Sequence, residues 1–219
     1  MVDYARARLN MVESQIRTNK VTDTAIIEAF ETIPRELFVP KAKRGIAYVD
    51  EALDIGDGRY MLEPMVLARL LQTCLPGPTD TVLDVGCGTG YATALLSTMV
   101  AMVVGLDEIG ELVEIGNKVL ADLQIDNAAL VTGPLAEGYA KHAPYNMILV
   151  NGAVDLVPDA LLDQLAEGGR LVTVEGGDSR GPGTAVLYER LSGHIGHRIL
   201  FDAGTPKLKG FVKSPGFVF

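Results

Sequence analysis

The spacing of apolar residues changes character along this chain, and each change predicts a different element. Over residues 4–17, Tyr4, Ala7, Met11, Val12 and Ile16 recur at three- and four-residue intervals, which predicts an amphipathic helix. A second helix is predicted from Thr22 or Asp23 to about Glu31, with Thr22 as its cap and Ala25, Ile26, Ala29 and Phe30 on one face. Pro34 ends it, and RELFVP (35–40) leads into a polar connector. IGDGRYMLEP (55–64) is expected to be a tight loop feeding a helix that starts at Pro64 and runs to about Leu75. Beyond it, strand-like and helix-like runs alternate. TVLDVG, MVVGLD, AALVTG, MILVNG and GRLVTVEG are predicted strands, and YATALLSTMV, ELVEIGNKVLADL and ALLDQLAEGG predicted helices. That alternation implies an α/β fold with a parallel sheet covered on both faces. TAVLYERL and HRILFDA, around Ser192, Gly193 and His194, predict a closing antiparallel hairpin.

Composition narrows the function without naming it. The chain has 219 residues, 48% hydrophobic and 21% charged, enough for one domain with a sizeable core. Residues 1–63 are expected to be a helical N-terminal extension with a substrate-side loop, and 64–219 the core and its β-like tail, together one compact unit. No apolar run reaches the roughly 20 residues of a membrane span. The opening MVDYARARLN lacks the apolar centre of a secretory leader, so a cytoplasmic location is expected. The net charge is −9, and residues 60–160, with three basic and twelve acidic side chains, carry the excess. A nucleic-acid partner needs a basic face. Its best candidate, Lys41, Lys43 and Arg44, reads more simply as a solvated turn. Cys74 and Cys87 form neither a disulfide framework nor a zinc spacing, and His142, His194 and His197 suggest no metal site.

The chemistry lies in TVLDVGCGTGYATALL (81–96). A buried strand ends at Asp84, and a turn with Gly86, Gly88 and Gly90 opens a helix, the place where open parallel sheets bind ligands. A dinucleotide fingerprint would need glycine at 91, where Tyr91 stands; neither a P-loop nor a G-x-S-x-G elbow is present. The pattern D-x-G-x-G-x-G resembles motif I of the S-adenosylmethionine-dependent methyltransferases. Asp107, ending the next predicted strand, suits a carboxylate that accepts both ribose hydroxyls. A structural turn without ligand is the alternative.

The flanking blocks extend the resemblance. PRELFVP (34–40), AYVDEALDIGDG (47–58), VLDVGCGTGYATALLS and residues 143–172 are similar, in order and approximate spacing, to the protein-L-isoaspartate O-methyltransferases. The resemblance implies a Rossmann-like methyltransferase sheet with helices on both faces, an N-terminal helical extension and a C-terminal β-hairpin. It implies S-adenosyl-L-methionine as cofactor and proteins with isoaspartyl residues as substrates, methylated on the free carboxylate for repair. Asp84, Gly86, Cys87, Gly88, Gly90, Tyr91, Asp107, Glu108 and Leu135 are the expected cofactor residues, although Glu108 with Glu111 and Glu114 also reads as a solvated helix face.

The resemblance breaks where substrate should bind. The family places a Thr-Ile-Ser-type segment where Tyr60, Met61 and Leu62 stand, so the active-site hydroxyl is missing at Leu62, while Tyr60 keeps one on a longer arm. Arg59 is a candidate for a substrate carboxylate, or a solvated loop arginine. Asn151 is a candidate polar contact, or a turn-stabilising residue. Pro134 replaces an aspartate that contacts adenine, Asn146 replaces another aspartate, and the ending GFVKSPGFVF departs from the family's. A same-fold methyltransferase with a different acceptor, and a non-catalytic S-adenosylmethionine-binding interaction protein, are therefore the alternatives.

Overall fold

The computed structural model describes residues 2–178 and 181–211. The ending GFVKSPGFVF therefore lies outside the described residues from position 212 onward.

The N-terminal extension begins with α1 (Tyr4–Met11), continues through a π-turn over Val12–Ile16, and closes with a short 3-10 turn over Arg17–Asn19. Asp23, not Thr22, caps α2 (Thr24–Thr32), its side chain accepting from the Ile26 amide at 3.0 Å. Two 3-10 helices, Arg35–Leu37 and Lys41–Ile46, follow. In the second, Lys43 Nζ is held by Asp54, donating to its side chain at 2.9 Å and its carbonyl at 2.6 Å.

The expectation of a tight loop at 55–64 is corrected. The segment is a two-stranded hairpin, β1 (Leu53–Gly56) and β2 (Arg59–Met61), turning at Asp57 and Gly58, both of positive φ. The strands bury Leu53, Ile55, Arg59 and Met61 on one face and leave Asp54 and Tyr60 outward, a period-2 alternation too short to stand out in sequence.

α3 (Pro64–Cys74) then leads into the sheet. β3 (Thr81–Val85), α4 (Tyr91–Ser97), β4 (Met102–Asp107), α5 (Gly110–Asp122), β5 (Ala128–Thr132), β6 (Tyr145–Val154), α6 (Asp159–Leu162), β7 (Leu165–Asp178), β8 (Gly181–Leu191) and β9 (His194–Ala203) follow in order. The predicted helix ALLDQLAEGG shrinks to the four residues of α6, because Leu165 onward pairs with β6. The seven strands run in the order β5-β4-β3-β6-β7-β8-β9. They are parallel through β7, and β8 and β9 add antiparallel.

Two apolar layers cover the sheet. One joins Met11, Ile16, Phe30 and Phe38 of the extension to α3 and α4. The other packs Leu83, Val85, Leu106, Ile148 and Val150 beneath Leu135, Leu161 and Leu208. The extension is tied in through Tyr91, whose ring meets Phe30 and Phe38 edge-on at 6.2 and 5.5 Å.

This topology fixes where a ligand belongs. The chain leaves β3 toward β4 and β5, then crosses to the other side of β3 to form β6 and β7. The switch point is the crevice at the carboxyl ends of β3 and β6. Asp84 lies at the end of one and Asn151 near the end of the other.

Candidate active site

The turn after β3 is wound by its own backbone. The amides of Gly86 and Cys87 both donate to the carbonyl of Leu106, at 2.8 and 3.1 Å, and Gly90 N donates to Cys87 O at 2.8 Å. Gly86 and Gly88 have φ of 77° and 54°, a region L side chains rarely enter. Their missing Cβ atoms let other groups approach the turn closely, and the side chains of Leu208 and Ile55 stand there.

Asp84 is fully buried. Its two oxygens accept from Thr93 Oγ1 at 2.7 Å and Asn151 Nδ2 at 3.3 Å. Burial pushes its pKa up to about 7, while those two hydrogen bonds favour the carboxylate. Thr93 was not anticipated in the sequence; its place on the first turns of α4, directly over the strand end, is the signal that marks it. The bond to Asp84 fixes the Asn151 amide and leaves Asn151 Oδ1 buried without a partner.

Asn151 lines a small cavity together with Tyr60, Met61, Leu62, Cys87 and Tyr91. Five residues singled out in the sequence, Tyr60, Leu62, Cys87, Tyr91 and Asn151, thus converge from four elements. Leu62 is buried, with its carbonyl accepting from Arg35 Nη2 at 2.7 Å, and Tyr60 is partly exposed at the rim. Burial and the carboxylates of Asp84 and Asp107 hold the Cys87 thiol well above its ordinary pKa, so it is neutral and not a nucleophile. Tyr91 is likewise pushed up to about 12 by burial.

A second cluster lies beside the first. Arg59 is 2% exposed, which corrects the reading of a solvated loop arginine. Its Nε donates to both oxygens of Asp107 at 3.0 Å, its Nη2 approaches Glu108 at 3.4 Å, and its Nη1 donates to the Lys209 carbonyl at 3.3 Å. Asp107 also accepts from the amides of Gly88 at 2.9 Å and Ile109 at 3.1 Å. Glu108, exposed and two residues ahead of α5, accepts from the Leu135 amide at 3.4 Å, which joins Leu135 to the cluster. Pro134 opens the 3-10 turn at Leu135, and Asn146 lies apart, its Oδ1 accepting from the Thr81 amide at 2.9 Å.

A model of the protein-L-isoaspartate(D-aspartate) O-methyltransferase family matches residues 6–182. The chain belongs to this family. Protein-L-isoaspartate O-methyltransferase of Koribacter versatilis is 39% identical over 172 residues, 78% of each chain. That of Aeropyrum pernix is 41% identical over 173 residues, 77% of this chain and 66% of the relative. Among solved structures, a protein-L-isoaspartate O-methyltransferase superposes with a TM-score of 0.80 at 26% identity, covering 93% of this chain and 66% of the other. A Plasmodium falciparum structure of the same description, solved in complex with S-adenosyl-L-homocysteine, shares the fold at a TM-score of 0.78 and 21% identity, covering 96% and 100%.

The family assignment makes the chain a methyltransferase whose methyl donor is S-adenosyl-L-methionine. The residue types present fit that donor. A glycine cradle at Gly86 and Gly88, a carboxylate at the end of β4 and a buried unpartnered acceptor at Asn151 Oδ1 meet at one switch point. No helix among the described residues is long and apolar enough to cross a membrane.

Proposed function

We propose that this protein transfers a methyl group from S-adenosyl-L-methionine to the free α-carboxylate of isoaspartyl residues in damaged proteins. The observation that carries this reading is the meeting of Tyr60, Cys87, Tyr91 and Asn151 at the switch point, one step from Asp84 and Asp107, in a chain of this family.

The chemistry demands little of the side chains. An acceptor carboxylate is already ionised at pH 7, so no general base is required. When bound, the donor supplies an electrophilic methyl group on a sulfonium. Positioning is then the main source of rate, with about 7–11 kcal/mol available to a well-oriented pair. Gly86 and Gly88 let the backbone approach the donor, and the Asp107 carboxylate is the acceptor for its ribose hydroxyls. Leu135 presents apolar surface at the adenine end, where Pro134 offers no acceptor. Asn151 Oδ1, held by the bond of its amide to Asp84, accepts an N–H from donor or substrate. Tyr60, at the rim, is the hydroxyl available to the substrate carboxylate where Leu62 has none. Leu62 is buried and lines the same cavity with apolar surface.

Labelled methyl transfer to an isoaspartyl peptide, beside its aspartyl counterpart, tests the proposal. Base-labile label on the isoaspartyl peptide alone is the expected result. Label on neither, from a protein that still binds S-adenosyl-L-homocysteine, favours the second reading, a different acceptor, for which apolar Leu62 at the expected hydroxyl position is the specific argument. A folded protein that binds no S-adenosyl-L-homocysteine is not an enzyme of this kind.

A further inference from the structure

The space this function needs is filled by the chain itself. Both oxygens of Asp107 already accept from Arg59 and from the amides of Gly88 and Ile109. The cradle is filled as well. A Cβ placed on Gly88 would stand 2.5 Å from Ile55 Cδ1, and one on Gly86 would stand 2.6 and 2.8 Å from the two methyl groups of Leu208. The cavity left beside Asn151 is about 10 Å³. That is room for about one water molecule, against about 300 Å³ or more for a cofactor-sized ligand.

The occupants come from two segments with separate attachments. Ile55 and Arg59 belong to the β1–β2 hairpin, which forms its own two-stranded sheet and, among the described residues, has no ladder to the main one. Leu208 belongs to the stretch after β9, which is clipped to the end of β6 by two backbone bonds, Ala153 N to Pro206 O at 3.0 Å and Leu208 N to Ala153 O at 2.8 Å. Arg59 Nη1, donating to the Lys209 carbonyl, fastens hairpin to clip across the site. A single side chain therefore holds Asp107 and latches the two covering segments together.

We propose that the donor site is closed from within: Arg59 and Leu208 stand in for the ligand, and S-adenosyl-L-methionine binds by competing with Arg59 for Asp107 and by lifting residues 206–211 off β6. This rests on the methyl-donor reading above and adds its regulation. The physical content is a conformational competition. Only the open fraction binds, so apparent affinity falls by that fraction, and any change that weakens the latch raises it. The buried guanidinium–carboxylate pair favours the closed form because its remaining hydrogen bonds are met, by the Lys209 carbonyl on Arg59 and by the Gly88 and Ile109 amides on Asp107.

The test is calorimetric titration of S-adenosyl-L-homocysteine into the full-length protein and into Arg59→Gln and Leu208→Ala variants, with amide hydrogen exchange read at Leu208. Each variant is expected to bind more tightly than the parent, by about tenfold if one molecule in ten is open. Saturation with ligand is expected to speed exchange at the Leu208 amide, the reverse of ordinary ligand protection. If Arg59→Gln unfolds, Leu208→Ala and the exchange experiment decide. Variants that bind equally or more weakly, with Leu208 still protected in the complex, overturn the closure and leave the donor reading standing. Absence of binding in the parent and in both folded variants overturns both.

Discussion

Arg35 Nη2 donates to the carbonyl oxygen of Leu62 at 2.7 Å, with the guanidinium fully buried. Its Nε donates to the Ala47 carbonyl at 2.7 Å, and its Cζ lies over the Tyr91 ring 4.9 Å from the centroid. One arginine thus sets the depth of the segment that carries Tyr60 and Leu62, and fixes it against the first residue of α4.

Arg35→Met should therefore destabilise the protein by about 3 kcal/mol, since two buried carbonyls lose their charged donor. Urea unfolding measures this. A loss below about 1 kcal/mol would mean that water replaces the guanidinium and that the anchoring is weak.

Leu62→Ser is the substitution that restores the family's hydroxyl. Leu62 is 1% exposed, so the change removes core packing and buries a polar group. A loss of about 2–4 kcal/mol is expected, with a lowered Tm. Improved methylation of an isoaspartyl peptide despite that loss would show that the hydroxyl reaches the acceptor; stability without loss would contradict the packing described.

Asp107→Ala should act twice. It leaves buried Arg59 with only Glu108, at 3.4 Å, as a charged partner, at a cost of about 3 kcal/mol. In an Arg59→Gln background, where the latch is already released, it should weaken S-adenosyl-L-homocysteine binding severalfold or more, as read by calorimetry, and unchanged affinity there would refute the role of Asp107 toward the ribose.

Stability should depend on pH through Asp84. Its folded pKa is raised from 3.8 to about 7, chiefly by burial. The folded state then holds a proton that the unfolded state releases between those values. The resulting stabilisation is complete below about 4 and is lost as pH rises through about 7. Asp84→Asn should flatten that slope in urea titrations run from pH 4 to 8; an equal slope in both proteins would place the titration elsewhere.

The sheet and its glycine turn were legible because their signals are local. Period and glycine spacing sit within a dozen residues, and strand–turn–helix geometry follows from φ requirements and burial alone. The hairpin at 53–61 was not legible. Its strands span four and three residues, and its pairing is favoured by what Ile55 and Arg59 meet after folding. The brevity of α6 is hidden from local pattern for a related reason: the pairing of Leu165 with Tyr145 outweighs the helical apolar spacing of ALLDQL.

Short-range pattern encodes the α/β architecture and the position of the ligand crevice, and it singles out Asp84, Cys87, Tyr91 and Asn151 beside it, though not Thr93. Which residues face one another is a product of long-range packing. Arg59 meets Asp107 across 48 residues, and the Lys209 carbonyl across 150. A buried ion pair depends on how segments are packed and dried together, and no spacing along the chain expresses that.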